Sequence, residues 1–242
     1  MANGFTFNGI HSSVHGIGVK AKRPLIPGVS DNYIDLPGRA GSFLYPGKPL
    51  DRYIIVECGI QPDRALFKSK IWEIAAWLYT QDRTLLVFDD EPGMIYKAKI
   101  EGAVDLEQVG TIGKFTLILR CDPFAYGAEV TETFSADALT LTNSGTYEAY
   151  PRFTASFTGS ASEWKVTHGS GLYIRVVDSF VYGDVLTIDS ATGAILKNDV
   201  RTMNKLDWQY SKLFALAVGS NTLTITPPGI CSAQVKYDPT FL

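Results

Sequence analysis

His11 and His15 stand four residues apart, a spacing that lets two imidazoles share a metal ion when they project from one face of a helix. Gly9 and Gly16 flank them, and the segment has little helical character, so two polar positions in a turn are the preferred reading. Asp89, Asp90 and Glu91 are an acidic run without the alternating oxygen ligands of a calcium loop, and a hairpin tip accounts for them. LPGRAGSFLYPGK (36–48) places Arg39 between Gly38 and Gly41. A phosphate cradle would need a GxxxxGK[ST] run and a following helix; neither occurs, and a projecting loop or hairpin fits better. Cys58, Cys121 and Cys231 are odd in number and far apart, which suggests buried free thiols rather than a disulfide framework or a zinc site.

Catalytic signatures are missing as well. The sequence holds no GxSxG elbow, HExxH pair, dinucleotide fingerprint or placeable carboxylate pair, so no enzyme, catalytic residue, metal or cofactor is expected. Aromatic residues of the second half, with Trp164, Trp208 and Tyr210 foremost beside Tyr173 and Tyr182, could offer flat faces to sugar CH groups. Core and inter-sheet packing is the preferred alternative for them.

The elements that must carry these residues are mostly strands. Phe67, Ile71, Ile74 and Leu78 recur at helical spacing, with Ala75 widening the stripe and Asp63 placed as N-cap. Trp72 and Trp77 are five apart and cannot share one narrow stripe, so one of them is expected to pack on a neighbouring element or subunit. Arg83–Phe88 and Met94–Gly102 read as a hairpin with an acidic tip, and Lys114–Cys121 as a third strand. Arg52–Ile60 reads as a buried strand leading to the helix. Between Arg23 and Asp51, five prolines among glycines mark strands joined by a long excursion. From Ala128 onward there are only short strand-like runs, separated by turns such as Asp189–Gly193, Gly219–Asn221 and Pro227–Gly229, the pattern of an antiparallel sandwich. The expected fold is mainly β in two domains. Residues 1–127 form a β-sandwich with one α-helix and a β-hairpin, and 128–242 form a second antiparallel β-sandwich.

At 242 residues the chain is long enough for two modest cores. A formal charge of −3, without a block of Lys or Arg, argues against tight nucleic-acid binding and leaves transient passage of DNA open. No apolar run approaches the roughly 20 residues that span a bilayer, and the N-terminus lacks the marks of a signal peptide, so a cytoplasmic product without membrane contact is expected. The excursion holds Tyr33, Phe43, Leu44 and Tyr45, and a small domain can hardly bury these together with two tryptophans. Tyr33, Arg39, Phe43, Tyr45, Trp72 and Trp77 are therefore the candidate interface residues.

WEIAAWL, RTLLVFDDEPGMIYKAKIEG, GKFTLILRCDPFAYG and NSGTYEAYPRF (143–153) together resemble the distal tail proteins of long-tailed, non-contractile bacteriophages. GDVLTIDSATGAILKNDV (183–200), LFALAVGSNTLTI (213–225) and VKYDP (235–239) continue the resemblance over nearly the whole chain. In the excursion only the glycine-flanked Arg39 matches. The resemblance implies a structural virion component at the tail tip, assembled in the cytoplasm of the infected bacterium. It implies a hexameric ring of the first domain, joining the tail tube protein to tail-tip or baseplate proteins such as a tail-associated lysin, tail fibre or receptor-binding protein. Tape measure protein and DNA would pass through the lumen. The second domain, galectin-like or carbohydrate-binding-module-like in that family, would stand outside the ring, and its contact with host wall polysaccharide is the rival functional reading.

Overall fold

The computed structural model describes residues 4–63, 65–135 and 137–242. It divides into two compact units, the first ending at Tyr126 and the second spanning Gly127–Phe241.

In the first unit the chain forms β1 (Phe5–Phe7), β2 (Ile10–His11), β3 (Ile17–Lys22), β4 (Asn32–Asp35), β5 (Ser42–Tyr45), β6 (Arg52–Ile60), α1 (Phe67–Leu78), β7 (Thr84–Phe88), β8 (Tyr96–Ile100), β9 (Leu106–Val109) and β10 (Ile112–Cys121). One sheet takes the order β2-β1-β7-β8-β10-β6-β3, with β9 also pairing β10, while β4 and β5 pair only with each other. β6 and β10 are its antiparallel spine, in register from Arg52 opposite Cys121 to Ile60 opposite Gly113. Both alternate. Ile54, Val56, Cys58 and Ile60 face the core with Phe115, Leu117, Leu119 and Cys121, and Tyr53 and Ile55 are exposed, so β6 is buried on one face and not on both.

The helix differs from its sequence reading in two ways. It starts at Phe67 behind Leu66, a helical residue with no side-chain cap, and Asp63 is not the N-cap. Asp63 instead accepts the Leu66 amide through its backbone carbonyl in the preceding turn, 2.9 Å away. The buried stripe is Phe67, Ile74, Trp77 and Leu78, so it is rotated toward Trp77 and leaves Ala75 exposed. The indole of Trp77 stacks on Phe5 at 5.6 Å and on His15 at 4.7 Å.

His11 caps and His15 closes a short 3-10 helix, Ser12–His15, which Gly16 ends with a left-handed φ of 66°. His11 bonds Asp89 at 3.0 Å, so the two imidazoles have different partners. Each carboxylate of the acidic tip finds a partner within the unit: Asp89 also accepts the Gly4 amide at 2.8 Å, and Asp90 and Glu91 both meet Arg23.

The second unit is a sandwich of two antiparallel sheets. One sheet orders Val130–Thr133, Cys231–Tyr237, Arg152–Phe157, Val185–Asp189, Ile195–Lys197 and Val200–Arg201; the other orders Ala138–Asn143, Gly219–Thr226, Ala161–His168 and Tyr173–Phe180. Alternate residues of both meet in one core, with Phe153, Phe157 and Ile188 from the first sheet and Trp164, Ile174 and Leu223 from the second. Gly219–Asn221 is the start of a strand, not a turn. Asn221 is buried there, and its amide group bonds the Ala217 backbone at both N (2.9 Å) and O (2.8 Å), which stands in for a turn's backbone bonds.

Candidate functional site

The excursion folds into a ribbon that stands apart from the core. β4 and β5 pair Asn32 with Tyr45, Tyr33 with Leu44, Ile34 with Phe43 and Asp35 with Ser42, and every residue of both strands is exposed. Facing pairs alternate sides, so Ile34, Phe43 and Tyr45 share one face while Tyr33 and Leu44 share the other. The Arg39 guanidinium lies 3.8 Å from the Phe43 ring centroid, a cation–π contact that holds that ring at the tip. At the base, Ser30 and Lys48 and then Gly28 and Leu50 bond through their backbones, and Asp31 accepts the Gly47 amide at 2.8 Å. Gly47 sits there because a Cβ would lie 2.0 Å from the Ser30 carbonyl oxygen.

Charged residues at both ends root the ribbon. Arg23 bonds Glu91 at 2.9 Å and Asp90, with its guanidinium 4.7 Å from the Phe88 ring. Partial burial works against its charge, but the two carboxylates outweigh that and raise its pKa. Asp51 takes Arg83 at 2.7 Å and Arg120 at 2.5 Å; its burial opposes ionisation, and the two guanidinium groups prevail and hold its pKa down. Sequence reasoning passed over Arg23, Asp51, Arg83 and Arg120. The available signal was the position of Arg23 and Asp51 at the two limits of the proline-rich stretch.

A second feature lies between α1 and the β9–β10 strands. An open groove with a cavity volume of 510 Å³ is lined by Ile71, Ala75, Leu78, Val104, Leu106 and Phe115 among others, with Ile60 at its floor. Val104 and Leu106 are exposed along it. The groove keeps Ala75 accessible beside the buried stripe of the helix.

Of the candidate interface residues, Tyr33, Arg39, Phe43 and Tyr45 come together on the ribbon, and Trp72 is 76% exposed on the helix. Trp77 does not join them. It is buried at 5% exposure, because its ring completes the core above Phe5 and Phe7.

In the second unit Trp164 is fully buried in the core and offers no face to a sugar. Trp208 and Tyr210 are exposed, on a loop pinned to the edge strand Tyr173–Phe180. The Asp207 amide reaches the Arg175 carbonyl and the Lys212 amide the Tyr173 carbonyl, both at 2.9 Å, and Arg175 pairs with Asp207 and Glu163. The Trp208 indole donates to the Met203 carbonyl at 3.1 Å. The loop thereby covers an open strand edge and carries its two aromatic rings on a fixed base.

Among the described residues no cluster of His, Cys, Asp and Glu is arranged to hold a metal ion, and no helix is long and apolar enough to cross a membrane. Cys58 and Cys121 are buried, and Cys231 is half-buried rather than buried.

Residues 11–121 match the family model of the phage tail protein RIFT-related domain, and residues 144–241 match that of the siphovirus-type tail component, C-terminal domain. No curated protein matches by sequence. Among solved structures, the Dit protein of phage SPP1 superposes with a TM-score of 0.87 at 19% identity, over 100% of both chains. It is described as a paradigm of the hub adsorption apparatus in phages infecting Gram-positive bacteria. Chains of the phage p2 baseplate in its activated conformation, with Sr or Ca, superpose with TM-scores of 0.55 and 0.54 at 6% and 7% identity, over 98% of each chain.

Proposed function

We propose, from the premise that this chain belongs to the Dit-like family of siphovirus tail components, that six copies close into a ring through the first unit and form the hub at the distal end of the tail. On one side the hub would receive the tail tube protein. On the other it would hold tail-tip proteins such as a tail-associated lysin, a tail fibre or a receptor-binding protein. Tape measure protein and DNA would cross its lumen, and the ring would assemble in the cytoplasm of the infected bacterium.

The observation that carries this reading is the ribbon of β4 and β5. A two-stranded ribbon is at best marginally stable in water, and this one exposes large apolar side chains on both faces. Such a feature is useful when another molecule covers it. Head-to-tail contacts between identical chains must close to avoid growing into filaments, which favours a ring, and six is the number the family resemblance implies. The chain's slight negative charge suits a conduit in which a polyanion slides without being held.

Light scattering and negative-stain electron microscopy of the purified full chain test the reading. Closed rings with a central opening are expected. Open filaments would overturn closure, and monomers at every concentration would mean that this chain does not build the ring alone.

A second reading is supported by the pinned loop of the second unit. Trp208 and Tyr210 are 64% and 57% exposed on a fixed base, a suitable platform for a cell-wall saccharide. Glycan arrays separate it from a purely structural role.

A further inference from the structure

We infer that the groove beside α1 is the receptor for the β4–β5 ribbon of a second copy of this chain. The inference rests on the ring reading above and supplies its interface.

The ribbon is an apolar arm that no other segment of the described chain covers, since every residue of both strands is exposed. Ile34, Phe43 and Tyr45 form a continuous apolar face 39–57% exposed, and the ribbon's shape is set at its base by the Gly47 approach and at its tip by Arg39 on Phe43. The groove is the reciprocal feature. Ile71, Leu78, Leu106 and Phe115 make most of its lining apolar, with Gln81 and Lys99 as polar members, and no segment of the described chain fills it. Apolar arm and apolar cleft each leave surface in water that their union would remove.

Their placement identifies the occupant. β6 begins at Arg52, directly after the ribbon's root at Asp51, and ends at Ile60, which lines the groove. Eight residue steps of extended chain separate Arg52 from Ile60, roughly 26 Å at about 3.3 Å per residue. Arm and cleft thus sit at opposite ends of one rigid strand, and the second root agrees: β3 runs antiparallel to β6 from Ile17 opposite Ile60 to Lys22 opposite Ile55, and Arg23 follows. A donor at one end and an acceptor at the other allow a heterologous contact, in which each copy gives its arm to one neighbour and receives another's, the arrangement that the ring reading requires.

The test uses full-length chains in a Cys231→Ser background, since Cys58 and Cys121 are buried. One chain carries Ala40→Cys at the ribbon tip and a differently tagged one carries Ala75→Cys in the groove. A short bismaleimide should join the two tags in a mixture, at least tenfold above either chain alone. Leu106→Glu, at a 37% exposed position, should dissolve the rings while leaving the melting curve in place. Rings that form without this cross-link and survive Leu106→Glu would overturn the groove as receptor while leaving the hub reading intact. A cross-link confined within single chains bearing both cysteines would also overturn it. An unsubstituted chain that never assembles would overturn the ring reading and this inference together.

Discussion

The indole of Trp77 donates its Nε1 hydrogen to the backbone carbonyl of Phe7 at 2.8 Å, which ties the helix to the first strand of the sheet. That bond, with the stack on Phe5, explains why one of the two helix tryptophans belongs to the core and the other to the surface. Trp77→Phe should cost about 1–3 kcal/mol, because the buried carbonyl loses this donor. Trp77→Ala should cost about 3–5 kcal/mol through the cavity it leaves. Trp72→Ala should stay within about 0.5 kcal/mol in urea unfolding yet weaken ring assembly in light scattering. A stability loss at Trp72 equal to that at Trp77 would contradict this division.

Helical periodicity placed the helix but could not orient it. Ala75 and Trp77 are both apolar, and only the contacts with Phe5, Phe7 and His15 decide that Trp77 turns inward and Ala75 lines a groove. The same limit applied to Trp164 and Trp208. Residue type made both candidate platforms, whereas alternation along Ala161–His168 buries Trp164 and the loop before Leu213 exposes Trp208. The ribbon, by contrast, was legible, since proline and glycine exclude regular packing and the aromatic residues among them still need cover. The roots at Arg23 and Asp51 were not, because their partners lie 67 and 68 residues from Arg23 and 32 and 69 residues from Asp51 in sequence.

Gly47→Ala should open the base of the ribbon. A Cβ at 2.0 Å from the Ser30 carbonyl forces the two strands apart and breaks the Gly47–Asp31 bond. Because the ribbon is exposed, the core should keep its melting temperature, while amide exchange quickens at Ser30 and Leu50 and rings become scarce. Rings unaffected by the substitution would show that the ribbon's shape has no part in assembly.

Burial pushes the thiols of Cys58 and Cys121 up to about 12. At pH 8 almost no thiolate is present at either, and both should resist Ellman's reagent until the chain is unfolded. Cys231, half-buried, has its pKa raised by the same cause and should react first. Rapid native labelling of Cys58 or Cys121 would mean that the core of the first unit opens far more readily than its packing indicates.

Acid should loosen the second unit in a defined window. The Asn198 side chain, the Val181 amide and the Lys197 ammonium hold the Asp184 carboxyl down at about 2. In the unfolded chain an aspartate titrates near about 3.9. A folded-state pKa below the unfolded one gives stability that is complete above about pH 4 and is lost as pH falls toward about 2. Asp184→Asn should therefore be less stable than the parent at pH 7, with the difference shrinking between about pH 4 and pH 2. Exchange of the Val181 amide, which donates to Asp184 at 3.0 Å, reports the change locally. A gap that stays constant across this range would sink the assignment.

Trp208 and Tyr210 separate saccharide recognition from simple coverage of a sheet edge. If the loop only shields the edge strand, its stability rests on Leu206, which is buried, and on the Arg175–Asp207 pair; the exposed aromatic faces are then dispensable. If it binds sugar, the rings supply most of the contact. Trp208→Ala also removes the bond to the Met203 carbonyl, so Tyr210→Ala is the cleaner change, because no side-chain bond of Tyr210 to the described residues contributes to the loop's pinning. On purified cell-wall polysaccharide, Tyr210→Ala should weaken binding by tenfold or more with the melting curve unchanged. No saturable binding by the parent chain to any wall polymer would leave the loop a structural cover.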